Sequence, residues 1–181
     1  VDIRLIGAEP TLRKDLFDII ANVKKIGHRV CLVTNGLMLA DRSYCLELKK
    51  SGLKVVNISM NGADDDRLYK LIDNGKYAIK KLAALRNSLE LKFRVGTSTI
   101  ISKNVNESAI EGMVQTVTKI SRELDIHYPA NGYAPLLRFK NIGAIGRYQK
   151  NGQMDLDSLL AKVCDSLKIN KEDMKKNVSV R

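Results

Sequence analysis

Residues 2–6, Asp-Ile-Arg-Leu-Ile, open the chain as a short, mostly apolar run of the kind that makes a buried strand. From Arg13 the rhythm changes. Leu16, Phe17, Ile19, Ile20, Val23 and Ile26 recur at helical spacing, and Gly27 supplies the stop. The same alternation then repeats along the chain. Residues 28–33 read as a strand, 40–50 as a helix closed by Gly52, and 53–60 as a third strand, with helical patterning over 64–72 and again over 76–89. Residues 91–101 are rich in β-branched side chains and predict a fourth strand. Asn106 is placed to cap a helix whose apolar stripe is Ile110, Met113, Val114, Val117, Ile120 and Leu124. A further strand falls within 126–139 and an amphipathic helix over 155–167.

Strands alternating with helices through short connections predict an α/β fold with a parallel sheet under helices, and periodicity alone does not separate a barrel from an open sheet. In a parallel sheet the C-terminal strand ends share one edge. The strongest turn signals all follow strands: Gly7-Ala8-Glu9-Pro10, Thr34-Asn35-Gly36, Ser59-Met60-Asn61-Gly62 and Ser102-Lys103-Asn104. That edge is therefore where a functional site is expected.

Composition narrows the class. With 181 residues, 44% hydrophobic and 28% charged, the chain suits one globular domain with a substantial core. Its uncharged runs fall short of the roughly 20 apolar residues that a membrane-spanning helix needs. Val1 and its neighbours show no signal-peptide layout, and the chain is expected to begin partway into a larger fold. The net charge of +11 falls largely on helix faces (Lys24, Lys25, Lys49, Lys50, Lys80, Lys81, Lys119) and a basic tail (Lys171, Lys175, Lys176, Arg181), as solvated lysines do. An acidic partner, nucleic acid or a phosphorylated ligand, stays open. Cys31, Cys45 and Cys164 have no short spacing, so neither a disulfide framework nor a cysteine-rich metal site is expected, and a reducing cytoplasm is. Cys31 within a strand and Cys45 on a helix stripe read as core. His28 and His127 lack ligand spacing, and Asp64-Asp65-Asp66 reads as helix capping.

The edge turns carry the candidate chemistry. Glu9 sits just past an apolar strand, beside a glycine that admits a ligand close to the backbone and a proline that directs the exit. Its carboxylate and the neighbouring carbonyls suit an ammonium group, or the segment is simply a strand-to-helix turn. Asn35 before Gly36 is a common turn pair, and Ser59 and Asn61 suit sugar hydroxyls or a helix cap.

Jointly the turns are more specific. Gly-x-Glu-Pro-Thr-Leu-Arg, Thr-Asn-Gly and Ile-Ser-Met-Asn-Gly, about 26 residues apart, resemble the radical S-adenosylmethionine enzyme superfamily, over residues 2–147. The resemblance implies a partial six-stranded (β/α) TIM-like barrel, entered here at about its second strand and spanning residues 1–150, with 151–181 as a C-terminal helical extension. It also implies S-adenosylmethionine and a 4Fe-4S cluster at the C-terminal strand ends, with an electron donor such as flavodoxin or ferredoxin. In that family the reduced cluster cleaves the cofactor to methionine and a 5′-deoxyadenosyl radical, which takes hydrogen from substrate. Gly7, Ala8, Glu9 and Pro10 match the family's Gly-Gly-Glu-Pro motif, which binds the methionine amino group, and Asn35 lines the same edge. Ser59 and Asn61 fall where a Ser and an Asp commonly hold the ribose hydroxyls. Arg94 is the candidate partner of the methionine carboxylate, and residues 137–147 resemble the last barrel strand with its Gly-Arg turn.

Two departures stand out. Ala8 replaces the second glycine, at a cost on the order of 1 kcal/mol if that position needs positive φ. The cluster motif Cys-x3-Cys-x2-Cys is absent, and its ligands are expected upstream of this chain. The expected substrate is a peptide or other larger molecule, with nucleic acid as the other candidate. The alternative reading is a catalytically inactive barrel that binds RNA or protein.

Overall fold

The computed structural model describes residues 1–126, 135–141, 153–170 and 172. Five parallel strands, β1 (Asp2–Leu5), β2 (Arg29–Thr34), β3 (Val55–Ser59), β4 (Arg94–Ile101) and β5 (Leu136–Asn141), pair in sequential order β1-β2-β3-β4-β5. Between and after them run α1 (Leu16–Lys25), α2 (Arg42–Ser51), α3 (Asp66–Asp73), α4 (Ala78–Glu90), α5 (Ala109–Glu123) and α6 (Leu156–Leu167). Each crossover moves one strand along. An open doubly wound sheet reverses its order at a switch point, whereas sequential order is that of a barrel wall, so topology supplies the choice periodicity left open.

Helix ends follow local chemistry. Asp41, Asp65 and Asp155 cap α2, α3 and α6 by accepting the backbone N–H of Ser43, Arg67 and Ser158, each at 2.8 Å. The Asp64-Asp65-Asp66 run is thus capping chemistry as expected, with Asp66 also accepting the Ala78 N–H at 2.9 Å. Gly52 ends α2 in the left-handed region (φ 108°), where the Lys24 chain occupies the space a Cβ would fill. β4 begins three residues later than its apolar run suggests. Leu91 and Lys92 bond back to α4 and Lys92 is left-handed (φ 57°), so helix capping takes residues that composition assigns to the strand.

Register fixes two faces. Val56 lies opposite Leu32 and Val95, and Ile58 opposite Thr34 and Thr97. These positions face the main core, built with Leu16 and Ile20 of α1, Cys45 and Leu48 of α2, and Ala84 and Leu85 of α4. A smaller cluster joins Ile101, Ala109 and Ile110 to Met154, Leu159, Val163 and Cys164. Thus α6, assigned from sequence to a C-terminal extension, shares a core with β4 and α5. Cys45 is fully buried and Cys31 half-buried on the opposite face. No described helix is long and apolar enough to cross a membrane. The Gly-Arg turn at 143–147, His127 and the basic tail from Lys171, Glu172 aside, lie outside the described residues.

Candidate functional site at the C-terminal strand edge

Glu9 joins two strand exits. Its Oε1 accepts the Thr11 N–H at 3.1 Å and the hydroxyls of Thr11 and Thr34 at 2.7 Å each, and its Oε2 accepts the Asn35 N–H at 2.7 Å. Every partner is a neutral donor, and no cation pairs with Glu9 among the described residues. The charge therefore stays at the edge, beside the exposed backbone of Gly7 and Ala8. That combination fits an ammonium ligand such as the amino group of S-adenosylmethionine. Pro10 is buried behind Glu9 in a 3-10 turn, Pro10–Leu12, which Glu9 caps. Ala8 has no positive φ, so the methyl group in place of the family's second glycine carries no backbone penalty here.

The Thr34-Asn35-Gly36 turn is built around the same carboxylate. Thr34 Oγ1 also accepts the Gly36 N–H at 3.0 Å, and Asn35 Oδ1 accepts the Leu37 N–H at 2.8 Å. Gly36 is required: its φ is 81°, and a Cβ there would lie 2.6 Å from Ile58 Cγ2. The Asn35 side chain is half-buried at the rim.

Ser59 closes β3 on the face turned away from the main core, helix-free among the described residues, level with Ser98 and, across that, Arg138. Asn61 is another matter. Its Nδ2 donates to Asp73 Oδ1 at 3.0 Å, its Oδ1 accepts the Ile100 N–H at 3.0 Å, and it is 6% exposed. The expected ribose contact thus meets an amide already committed to tying β3 to β4. Asn106 completes that tie. It is fully buried, accepts the Ser102 N–H at 2.8 Å and donates to the carbonyls of Asn61 (3.0 Å) and Ile100 (2.8 Å), while α5 begins three residues later after Ser108. Its expected role as helix cap is corrected: its side chain joins two strand exits.

Arg94 also requires correction. It opens β4, paired with Val55, whereas Ser98 is the β4 residue level with Ser59. Four residues at roughly 3.3 Å each put Arg94 about 13 Å down the strand from the site edge, so it is not placed to meet a carboxylate there.

Two arrangements escaped the sequence reading. On the helix-free face, Arg138 lies over Gly96, where a Cβ would come 2.9 Å from its Nη1 and 3.3 Å from Asn57 Oδ1. Asn57 in turn accepts the Ser98 hydroxyl at 3.2 Å. Burial pushes the Cys31 thiol up on this face, against the opposing pull of Arg4 and Arg138. Beneath the edge, Lys81 of α4 is 3% exposed and donates to the Ser59 carbonyl at 2.6 Å. Burial lowers its pKa, while Asp73 and Glu9 act to raise it. A signal existed: Ala78, Lys81, Leu85 and Ser88 form one helical stripe, which a lysine interrupts.

The cluster is a different case from the cofactor. Among the described residues no group of three histidine, cysteine or acidic side chains could hold a metal, and Cys45 and Cys164 are buried. These residues do not fit a 4Fe-4S cluster.

Comparison with known proteins agrees with the geometry. The sequence model of the Radical SAM superfamily matches residues 1–117. A GTP 3′,8-cyclase of Clostridium botulinum (strain Hall) is 29% identical over 94% of this chain and 50% of its own length. One of Clostridium perfringens (strain SM101) is 34% identical over 65% of this chain and 36% of its own. The chain thus spans half or less of the length of these curated relatives. Among solved structures, a domain of pyruvate-formate lyase-activating enzyme from Bacteroides vulgatus superposes with a TM-score of 0.67 at 14% identity, covering 92% of both chains. The anSMEcpe protein with bound AdoMet and peptide superposes at 0.59 with 19% identity, over 92% of this chain and 45% of that one. Such likeness shows the partial TIM-barrel fold. The peptide belongs to that neighbour alone, and the sequence relatives, named for a nucleotide, do not support the expected peptide substrate. The family's cofactors are S-adenosylmethionine and a 4Fe-4S cluster, and this chain belongs to the radical SAM superfamily of enzymes.

Proposed function

We propose that this chain is the cofactor-binding core of a radical SAM enzyme whose substrate is a guanine nucleotide, as the name of its cyclase relatives suggests for them. The observation that carries the substrate class is the helix-free face of the sheet. Arg138 and Lys140 occupy positions of that face at and beyond the level of Ser59, and Arg138 has no carboxylate within ion-pair distance among the described residues. A planar guanidinium, which can bond two oxygens at once, suits a phosphate better than a peptide amide.

When bound, S-adenosylmethionine supplies the radical that takes hydrogen from substrate. The chain's own residues do the holding. Glu9 and the Gly7–Ala8 backbone receive the amino group, Asn35 lines the rim, and the Ser59 hydroxyl meets the ribose. Cys31, Cys45 and Cys164 do not supply the cluster's thiolates.

The test uses the full-length protein reconstituted anaerobically with iron and sulfide. With reductant and S-adenosylmethionine, GTP should raise release of 5′-deoxyadenosine well above the rate without substrate, and Arg138→Ala should abolish that stimulation. If GTP neither binds nor stimulates release while an added peptide does, the nucleotide reading fails.

A further inference from the structure

Lys81 is the most deeply buried cation described, and the cofactor-holding roles set out above do not use it. A lysine that is 97% removed from solvent is costly unless its ammonium has a task. It has one strong bond, to the Ser59 carbonyl at 2.6 Å, and its ammonium lies 5.4 Å from the centre of the Tyr69 ring. Tyr69 is itself fixed, fully buried and donating to the Ala63 carbonyl at 3.1 Å. The charges acting on Lys81 are Asp73 of α3 and Glu9 beyond β1. Asp73 Oδ1 accepts the Asn61 amide and its Oδ2 is buried without a partner. One helix therefore sends a cation to the point where β3 ends, between the carboxylate that faces the amino group and the turn that carries Ser59.

We propose that Lys81 is a positioning residue of the cofactor site, setting the direction of the Ser59 carbonyl and thereby the place where the Ser59 hydroxyl meets the ribose. The inference rests on the reading of Ser59 given above. An apolar side chain at 81 would leave the Ser59 peptide free to rotate at the mouth of the site. It would also remove a cation on which Glu9 acts electrostatically.

The experiment is titration calorimetry of S-adenosylmethionine on the reconstituted full-length protein, with unliganded Tm measured in parallel. The variants are Lys81→Met, Lys81→Gln and Lys81→Arg, with Leu85→Ala as the packing control on the same stripe. Re-ordering a freed Ser59 peptide on binding, at a cost comparable to the one charge-assisted hydrogen bond that now holds it, corresponds to about tenfold in affinity. Lys81→Met should raise Kd by that factor, Lys81→Gln by less, and Lys81→Arg should recover most of the affinity. Leu85→Ala should lower Tm and leave Kd nearly unchanged. Equal Kd in wild type and Lys81→Gln, or a rise in Leu85→Ala as large as that of the lysine variants, overturns the proposal. Should Lys81→Met not fold, Lys81→Gln and Lys81→Arg decide alone. Wild-type protein that does not bind S-adenosylmethionine overturns the site reading itself, whereas binding that is indifferent to residue 81 overturns only this inference.

Discussion

Glu9→Gln keeps the shape of the side chain and removes its charge, so it isolates what the carboxylate does for the fold. The four bonds to Glu9 come from two backbone N–H groups and two hydroxyls. A hydroxyl can turn to accept from a glutamine NH2 group; a backbone N–H cannot. If the amide nitrogen replaces Oε2 it faces the Asn35 N–H, and if it replaces Oε1 it faces the Thr11 N–H. Either way one half-buried backbone donor loses its acceptor, at about 1–3 kcal/mol, and the remaining bonds lose charge assistance. The sum is about 3 kcal/mol, or a fall in Tm of roughly 6–12 °C for a chain of this size. Guanidinium unfolding of wild type and variant, without cofactor, measures it. A loss below about 0.5 kcal/mol, the scatter of an ordinary surface substitution, would show that the Glu9 charge contributes nothing to the fold and that the bonds reasoned from it are interchangeable with an amide's.

Other substitutions probe the same construction. Gly36→Ala combines a left-handed residue with a Cβ 2.6 Å from Ile58 Cγ2, so unfolding should show a loss of about 2–4 kcal/mol. Asn106→Ala strands the Ser102 N–H and the Ile100 and Asn61 carbonyls, and hydrogen exchange should quicken at the ends of β3 and β4 before the rest of the sheet. Arg94→Ala should leave S-adenosylmethionine affinity unchanged in calorimetry, because it sits at the far end of β4. Burial pushes the Cys45 thiol up to about 11 from 9.0. The unfolded chain therefore releases this proton first, and stability should fall with rising pH between those values by about 1.4 kcal/mol per unit from this group. Cys45→Ser, whose hydroxyl can still donate to the Leu39 carbonyl, should flatten that slope in urea titrations at pH 9 to 10.5.

Much was legible in the sequence because it is local. Apolar spacing over one or two turns distinguishes helix from strand, and caps such as Asp65 and Gly52 are short-range chemistry, so the element order from β1 to α6 follows from residue neighbours. The position of Glu9, Asn35 and Ser59 at one edge follows from parallel order alone. What the chain order could not supply is register and burial, which depend on partners far along the chain. Arg94 reads as a strand residue, yet only its pairing with Val55 shows it at the wrong end. Asn61 reads as a turn residue and Asn106, 45 residues on, as a helix cap, and only folding turns them into one hydrogen-bonded tie. Lys81 resembles its solvated neighbour Lys80 until packing buries it beneath Ser59. Local periodicity determined the elements; long-range pairing, where each buried polar atom must find a specific partner, decided which residues form the site.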